Sequence, residues 1–148
     1  MRKRTATWMA TVGLVASGVI FGAAPSASAA NWGCPGSQVD SYTSRNSAGE
    51  TLSHTYLFYS SASNGTDCAV TVAAKYAGKA YELGVDIWTS DWVQHDGDLG
   101  NYASYAGPVK ITNTNGKCLN LEATVGNGPM HSNGEVIGGG NWYGVHCG

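Results

Sequence analysis

Histidine, carboxylate and aromatic side chains are where this chain could do chemistry, and their spacing decides which kinds. His54, His95, His131 and His146 lie far apart. Any pairing of a histidine with a carboxylate and a hydroxyl must therefore be made by the fold and not by a local motif. The nucleophile-elbow pattern Gly-x-Ser-x-Gly is absent, so acyl-transfer chemistry has no local signature. His54 reads as a packing residue on a strand face, and His146, beside Cys147, as a residue that pins the tail. His-Glu-x-x-His is missing, and no two histidines stand at helical spacing, which removes the usual zinc patterns. Asp96-Gly97-Asp98-Leu99-Gly100-Asn101 echoes a calcium loop but lacks a third acid and the closing glutamate, so Asp91, Asp96 and Asp98 are read as a solvated loop. Glycoside hydrolysis needs two acids about 5 to 9.5 Å apart. Glu82 and Asp86 share a strand face but are separated by about 13 Å of strand rise. Glu122 and Glu135 could meet only through the fold. No catalytic residue, metal ligand or cofactor site is expected.

The aromatic residues are the larger surplus. Trp32, Trp88, Trp92, Tyr102, Tyr105, Trp142 and Tyr143 fall mostly in or beside loops. Flat rings there either plug the ends of a small core or offer faces to a ligand. Trp88, Trp92, Tyr102, Tyr105, Trp142 and Tyr143 are accordingly the candidates for stacking on sugar rings.

The elements that must position these residues are strands. Thr51 to Ser60 is β-branched and aromatic, with Leu52, His54, Tyr56 and Phe58 on one face. Asn64-Gly65 supplies a turn, and Thr66 to Lys75 completes a hairpin. Tyr81 to Thr89 alternates, with Tyr81, Leu83, Val85 and Ile87 facing the core. Ser90 to Gly100 reads as a polar, acidic loop around Trp92. Pro108 to Thr112 and Cys118 to Val125 are further strands, with Val109, Ile111, Leu119, Leu121 and Ala123 inward. The Gly-rich tail holds two short strands, Glu135 to Ile137 and Trp142 to Cys147. Asn31 to Gly49 reads as irregular, with a short strand near Gln38 to Tyr42. No segment carries a capped 3.6-residue stripe, so helix should be minor. The expected fold is an all-β sandwich or barrel of about six to eight antiparallel strands.

Met1 to Ala29 is expected to be a secretory leader. Arg2, Lys3 and Arg4 precede the apolar run Ala10 to Ala24, and Ala27-Ser28-Ala29 is a small-x-small cleavage pattern, with Ala30 the alternative. Residues 30–148 then form one domain. Three of the eight Lys and Arg leave with the leader and all ten Asp and Glu stay, moving the net charge from −2 to −5. Such a chain is a poor ligand for nucleic acid. Nothing in the mature stretch is apolar enough to hold it in a membrane. Cys34, Cys68, Cys118 and Cys147 are an even set in an exported chain and read as two disulfides. Of three connectivities, Cys34–Cys68 with Cys118–Cys147 is favoured, because each ties a flexible end to a nearby strand. Each would close a loop of about 30 residues and contribute roughly 3 to 4 kcal/mol on the loop-entropy model.

Several fragments together resemble the spore-associated protein A family of streptomycetes. They are Tyr56-Leu57-Phe58-Tyr59, Asp67-Cys68-Ala69-Val70-Thr71-Val72, Asp98 to Val109 (with Tyr105-Ala106-Gly107-Pro108-Val109 the most specific part), Gly116-Lys117-Cys118 and Gly144-Val145-His146-Cys147-Gly148. The chain departs from that family at Leu119-Asn120-Leu121-Glu122-Ala123, where a Trp-Gly-Gly-like stretch is usual. The resemblance implies an exported protein at the spore or aerial-hypha surface and brings no catalytic residues with it. The expected function is non-catalytic binding, to wall polysaccharide or to another surface protein. The rival expectations are an inhibitor of a protease or other hydrolase, probing with Ser90 to Gly100, and a small hydrolase whose site the fold assembles from His54 or His95.

Overall fold

The computed structural model describes residues 31–130 and 135–148; the segment expected to be a leader and His131 lie outside the described residues. Eight strands follow one another: β1 (Ser37–Arg45), β2 (Thr51–Ser60), β3 (Thr66–Ala73), β4 (Tyr81–Thr89), β5 (His95–Tyr102), β6 (Tyr105–Thr112), β7 (Leu119–Gly126) and β8 (Val136–Val145). No helix occurs among the described residues. The strands form one antiparallel sheet in the order β5-β4-β7-β8-β1-β2-β3-β6. Its two terminal strands, β5 and β6, are consecutive in the chain and come back together, so the sheet curls into a nearly closed barrel.

Two seams hold the curl. Between β8 and β1 the one pair among the described residues is Gly139 with Arg45. Between β5 and β6, side chains stand in for a ladder. The Asp98 carboxylate accepts the backbone N–H of Gly107 at 2.7 Å, and Asp96 accepts that of Lys110 at 2.7 Å. Closure removes the exposed edges on which open sheets pair with other chains.

The alternation seen in the sequence fills the barrel. Leu83, Val85 and Ile87 from β4 meet Leu119, Leu121 and Val125 from β7, Val109 and Ile111 from β6, and Leu57 from β2. Burying each such side chain is worth about 1.5–3 kcal/mol. The β2–β3 hairpin is buried on both faces. Tyr56, Phe58, Val70 and Val72 lie outside the barrel under Trp32, beside the Cys34–Cys68 bridge. Trp32 stacks on Tyr56 at 5.1 Å. Both disulfides have the favoured connectivity, Cys34–Cys68 and Cys118–Cys147.

Three expectations need correction. The region Asn31 to Gly49 is not irregular, since β1 runs for nine residues. It is mostly exposed on both sides, so its polar sequence carries no apolar alternation to announce it. The stretch Ser90 to Gly100 is not one loop. Only its first residues turn, and His95 begins β5. Asp and Gly are poor strand formers, but here Asp96 and Asp98 are needed as acceptors at the seam. A Cβ at Gly97 would lie 2.1 Å from Asp86 Oδ1, so a larger residue there would have to push that carboxylate aside. Finally, Gly138-Gly139-Gly140 does not separate two short strands. It lies within a single β8.

Candidate functional site

The register of β5, β4, β7 and β8 places two rows of side chains across the outside of the barrel. Trp88 pairs with His95 on one side and Asn120 on the other, and Asn120 pairs with Tyr143. One step along, Asp86 lies between Gly97 and Glu122, and Glu122 pairs with Asn141. Directly opposed residues share a face. An aromatic and amide row therefore runs beside an acidic and amide row.

Trp92 completes the aromatic row from the tip of the β4–β5 hairpin. Its ring stacks on Trp88 at 5.2 Å, and Tyr143 meets Trp88 edge-on at 6.2 Å. Trp88 is 5% exposed, whereas Trp92 and Tyr143 are 69% and 67% exposed. The inner indole is thus a floor against which two solvent-facing rings are set.

Local chemistry fixes the tip. Trp92 holds a left-handed backbone, with φ of 61°, a conformation that an L-residue adopts only at a cost. Asp91 offsets that cost. Its Oδ1 accepts the Thr89 hydroxyl at 2.5 Å and the Val93 N–H at 3.1 Å, and its Oδ2 lies 2.9 Å from Lys117 Nζ. Trp92 N–H donates to the Thr89 carbonyl at 2.7 Å. Asn120 ties the tip to β8, since its Oδ1 accepts the Gly144 N–H at 2.9 Å and the Ser90 hydroxyl at 3.4 Å.

The Thr89 hydroxyl, then Lys117 and the Val93 amide, lower the Asp91 pKa to about 2. A carboxylate more acidic in the folded state than in the unfolded state contributes stability above its unfolded pKa and loses it as pH falls through the folded value. The stability gap between the wild type and Asp91→Asn should therefore be constant above about pH 4 and close as pH falls toward about 2. Urea denaturation at a series of pH values measures that gap. A gap independent of pH down to about 2 would show that the carboxylate does not brace the turn.

The other candidate aromatics lie elsewhere. Tyr102 donates its hydroxyl to Asp98 Oδ1 at 2.6 Å and packs against the barrel core. Trp142 packs against Tyr42 at 5.0 Å. Tyr105, 38% exposed, borders Trp32 at 6.5 Å. Of the six candidate stacking residues, the fold assembles Trp88, Trp92 and Tyr143.

The ionisable groups sort differently from their sequence reading. Asp96 and Asp98 are acceptors at the barrel seam rather than members of a solvated loop. Glu122 faces Asp86 across the β4–β7 ladder, a pairing that sequence spacing does not reveal. His54 Nδ1 lies 3.3 Å from the Thr43 hydroxyl, with no carboxylate among its described partners. His95 Nε2 lies 3.2 Å from Asp86 Oδ1 on the exposed face.

The histidine that meets a buried carboxylate is His146, whose Nδ1 is 2.9 Å from Asp67 Oδ1. Burial raises the Asp67 pKa, against the opposing pull of the Thr114 hydroxyl and of His146. One signal in the sequence marks this site. Asp67 has the parity of Ala69 and Thr71, whose side chains face inward, which is an uncommon place for an acid. Among the described residues no three His, Cys, Asp or Glu side chains gather as metal ligands.

The chain matches no protein-family model, no curated protein and no solved structure. Fold and surface define a class all the same: a small, disulfide-stapled, antiparallel β-barrel with an aromatic and acidic strip on one outer face. Two disulfides are consistent with an oxidising, extracellular setting, and no described helix is long and apolar enough to cross a membrane.

Proposed function

We propose that the protein is an exported surface protein that binds a polysaccharide of the cell wall or spore surface without catalysis. The observation that carries this reading is the Trp88–Trp92–Tyr143 cluster, two of whose rings are about two-thirds exposed. Sugar rings present C–H faces that pack on aromatic faces, and their hydroxyls seek acceptors and amides alongside. Asp86, Glu122 and Asn141 supply those groups one row away. Trp92 and Tyr143 stand exposed on the outside of the barrel, which suits an extended polymer. The likeness to spore-associated proteins supports a spore or hyphal location, and the basic, apolar and small-residue order of the leader supports export.

The test is retention on insoluble peptidoglycan, chitin and cellulose. Wild-type protein should sediment with at least one of the three. Trp92→Ala combined with Tyr143→Ala should weaken binding about tenfold or more, as loss of a central aromatic anchor does, with little change in melting temperature. Retention on none of the three ends the reading.

The same hairpin tip favours one second reading. Trp92 and Val93 project from a turn braced by Asp91, which is how a rigid inhibitory loop is presented. Stoichiometric inhibition of a secreted protease or glycosidase, lost in Trp92→Ala while glycan retention is absent, would establish that alternative.

A further inference from the structure

At the same end of the barrel as the Trp92 turn, with the Lys117–Asp91 ion pair and the Cys118–Cys147 bridge between them, a second site is argued independently of the glycan reading. Asp67, next to Cys68 on β3, points inward with only 1% of its surface exposed. Its Oδ1 has no donor aligned on it, although His146 Nδ1 is 2.9 Å away. Thr114 Oγ1, on the loop after β6, lies near enough to pull on that carboxylate but is itself buried without well-aligned hydrogen-bond geometry. Both residues line an opening of about 230 Å³. Buried polar atoms in folded proteins are nearly always satisfied, and a buried carboxylate without a full partner is costly. The ion pairs that Lys forms among the described residues are with Glu50 and Asp91, so Asp67 meets no lysine or arginine.

The walls of the opening complete a recognisable chemistry. The Tyr59 and His146 rings meet edge to face at 5.2 Å. The Tyr59 hydroxyl is tied to Asn115 Oδ1 at 2.6 Å, so its ring is fixed. His146 is held beside the Cys118–Cys147 bridge with a left-handed backbone, φ 43°. A carboxylate and a hydroxyl at the base of an aromatic-walled opening match a protonated primary amine. Charge-assisted hydrogen bonds reach the oxygens, and the Tyr59 ring can attract the cation. The opening, about 230 Å³, is many times the space one water needs, room for an ammonium group on a short carbon frame. A divalent metal fits less well, because only one carboxylate and one imidazole are at hand.

We propose that Asp67, Thr114, Tyr59 and His146 form a binding site for a primary ammonium group carried on a small alkyl chain or an amino sugar. The probes are n-butylamine and glucosamine, titrated at pH 7 into the full-length protein and followed by the ¹H–¹⁵N shifts of Gly116 and His146. Saturable shifts with either amine, absent with butan-1-ol and with butyrate, are the expected result, and the amine that saturates the site tells alkyl amine from amino sugar. Asp67→Asn should weaken that binding about tenfold or more, the effect of losing one charge-assisted hydrogen bond. Trp92→Ala should leave it unchanged, so this site and the glycan strip stand or fall separately. Two results overturn the inference. One is no saturation by either amine, or equal response to butan-1-ol. The other is wild-type affinity in Asp67→Asn with the rest of its spectrum intact. The alcohol and carboxylate controls use the wild type, so the outcome does not depend on the variant folding.

Discussion

Gly139→Ala is expected to destabilise the protein by about 3 kcal/mol or more, at the upper end of overpacking effects. An added Cβ would lie 2.1 Å from the Ala123 carbonyl oxygen and 3.2 Å from its carbon. Both are backbone atoms of β7, so no side chain can rotate away to make room. Gly139 also forms the one pair between β8 and β1 among the described residues. Displacing it opens that seam and shifts the strand that carries Tyr143. Urea denaturation compared with Gly49→Ala makes the point sharply. Gly49 has φ of +81° and nothing within 4 Å of its would-be Cβ, so its replacement should cost only the left-handed penalty of about 1–2 kcal/mol. Equal midpoints for the two variants would mean that β8 does not press on β7 as described. The Gly139 variant should also lose retention on glycan, because Trp88 and Tyr143 sit on strands that must stay in register.

Cys118→Ser should cost roughly 2 to 5 kcal/mol. The bridge to Cys147 spans 29 residues and anchors the start of β7 to the end of β8. The Ser90 N–H donates to the Cys118 carbonyl at 2.9 Å, so the same anchor steadies the hairpin tip that presents Trp92. His146, one residue from Cys147, depends on it for its place beside Asp67. Thermal melting with and without a reductant measures the effect. The variant should melt well below the wild type and respond less to reduction, since only Cys34–Cys68 remains. Identical melting curves would show that the bridge contributes nothing. Binding should weaken at both proposed sites, more at the amine site because a wall of that opening hangs directly on the bridge.

Much of the barrel was legible in the sequence because period-two burial is a local signal. Tyr81 to Thr89 matches β4 residue for residue, and Thr51 to Ser60 matches β2. Val109, Ile111, Leu119 and Leu121 face the core as their alternation required. The disulfide pairing followed from the positions of the four cysteines near chain ends and strands. What escaped lacked an alternation of its own. The first strand is mostly exposed, and β5 is written in Asp and Gly for the sake of Asp86 and the β6 backbone. Gly138 and Gly139 in β8 serve close approach to β2, β1 and β7 rather than a turn.

The candidate sites divide along the same line. Sequence alone determined that the chain is rich in aromatic residues, has no local catalytic or metal motif, and builds strands tied by two disulfides. It named Trp88, Trp92 and Tyr143, but among six candidates with nothing to set them apart. Register decided the grouping. Residues from 88 to 143 become neighbours only once β4, β7 and β8 are paired, because ladder contacts depend on strand order and not on distance along the chain. The meeting of Asp67 with His146 is more remote still, made by barrel closure and the Cys118–Cys147 bridge. Local composition fixed the kind of structure, and the closed sheet chose which side chains meet on it.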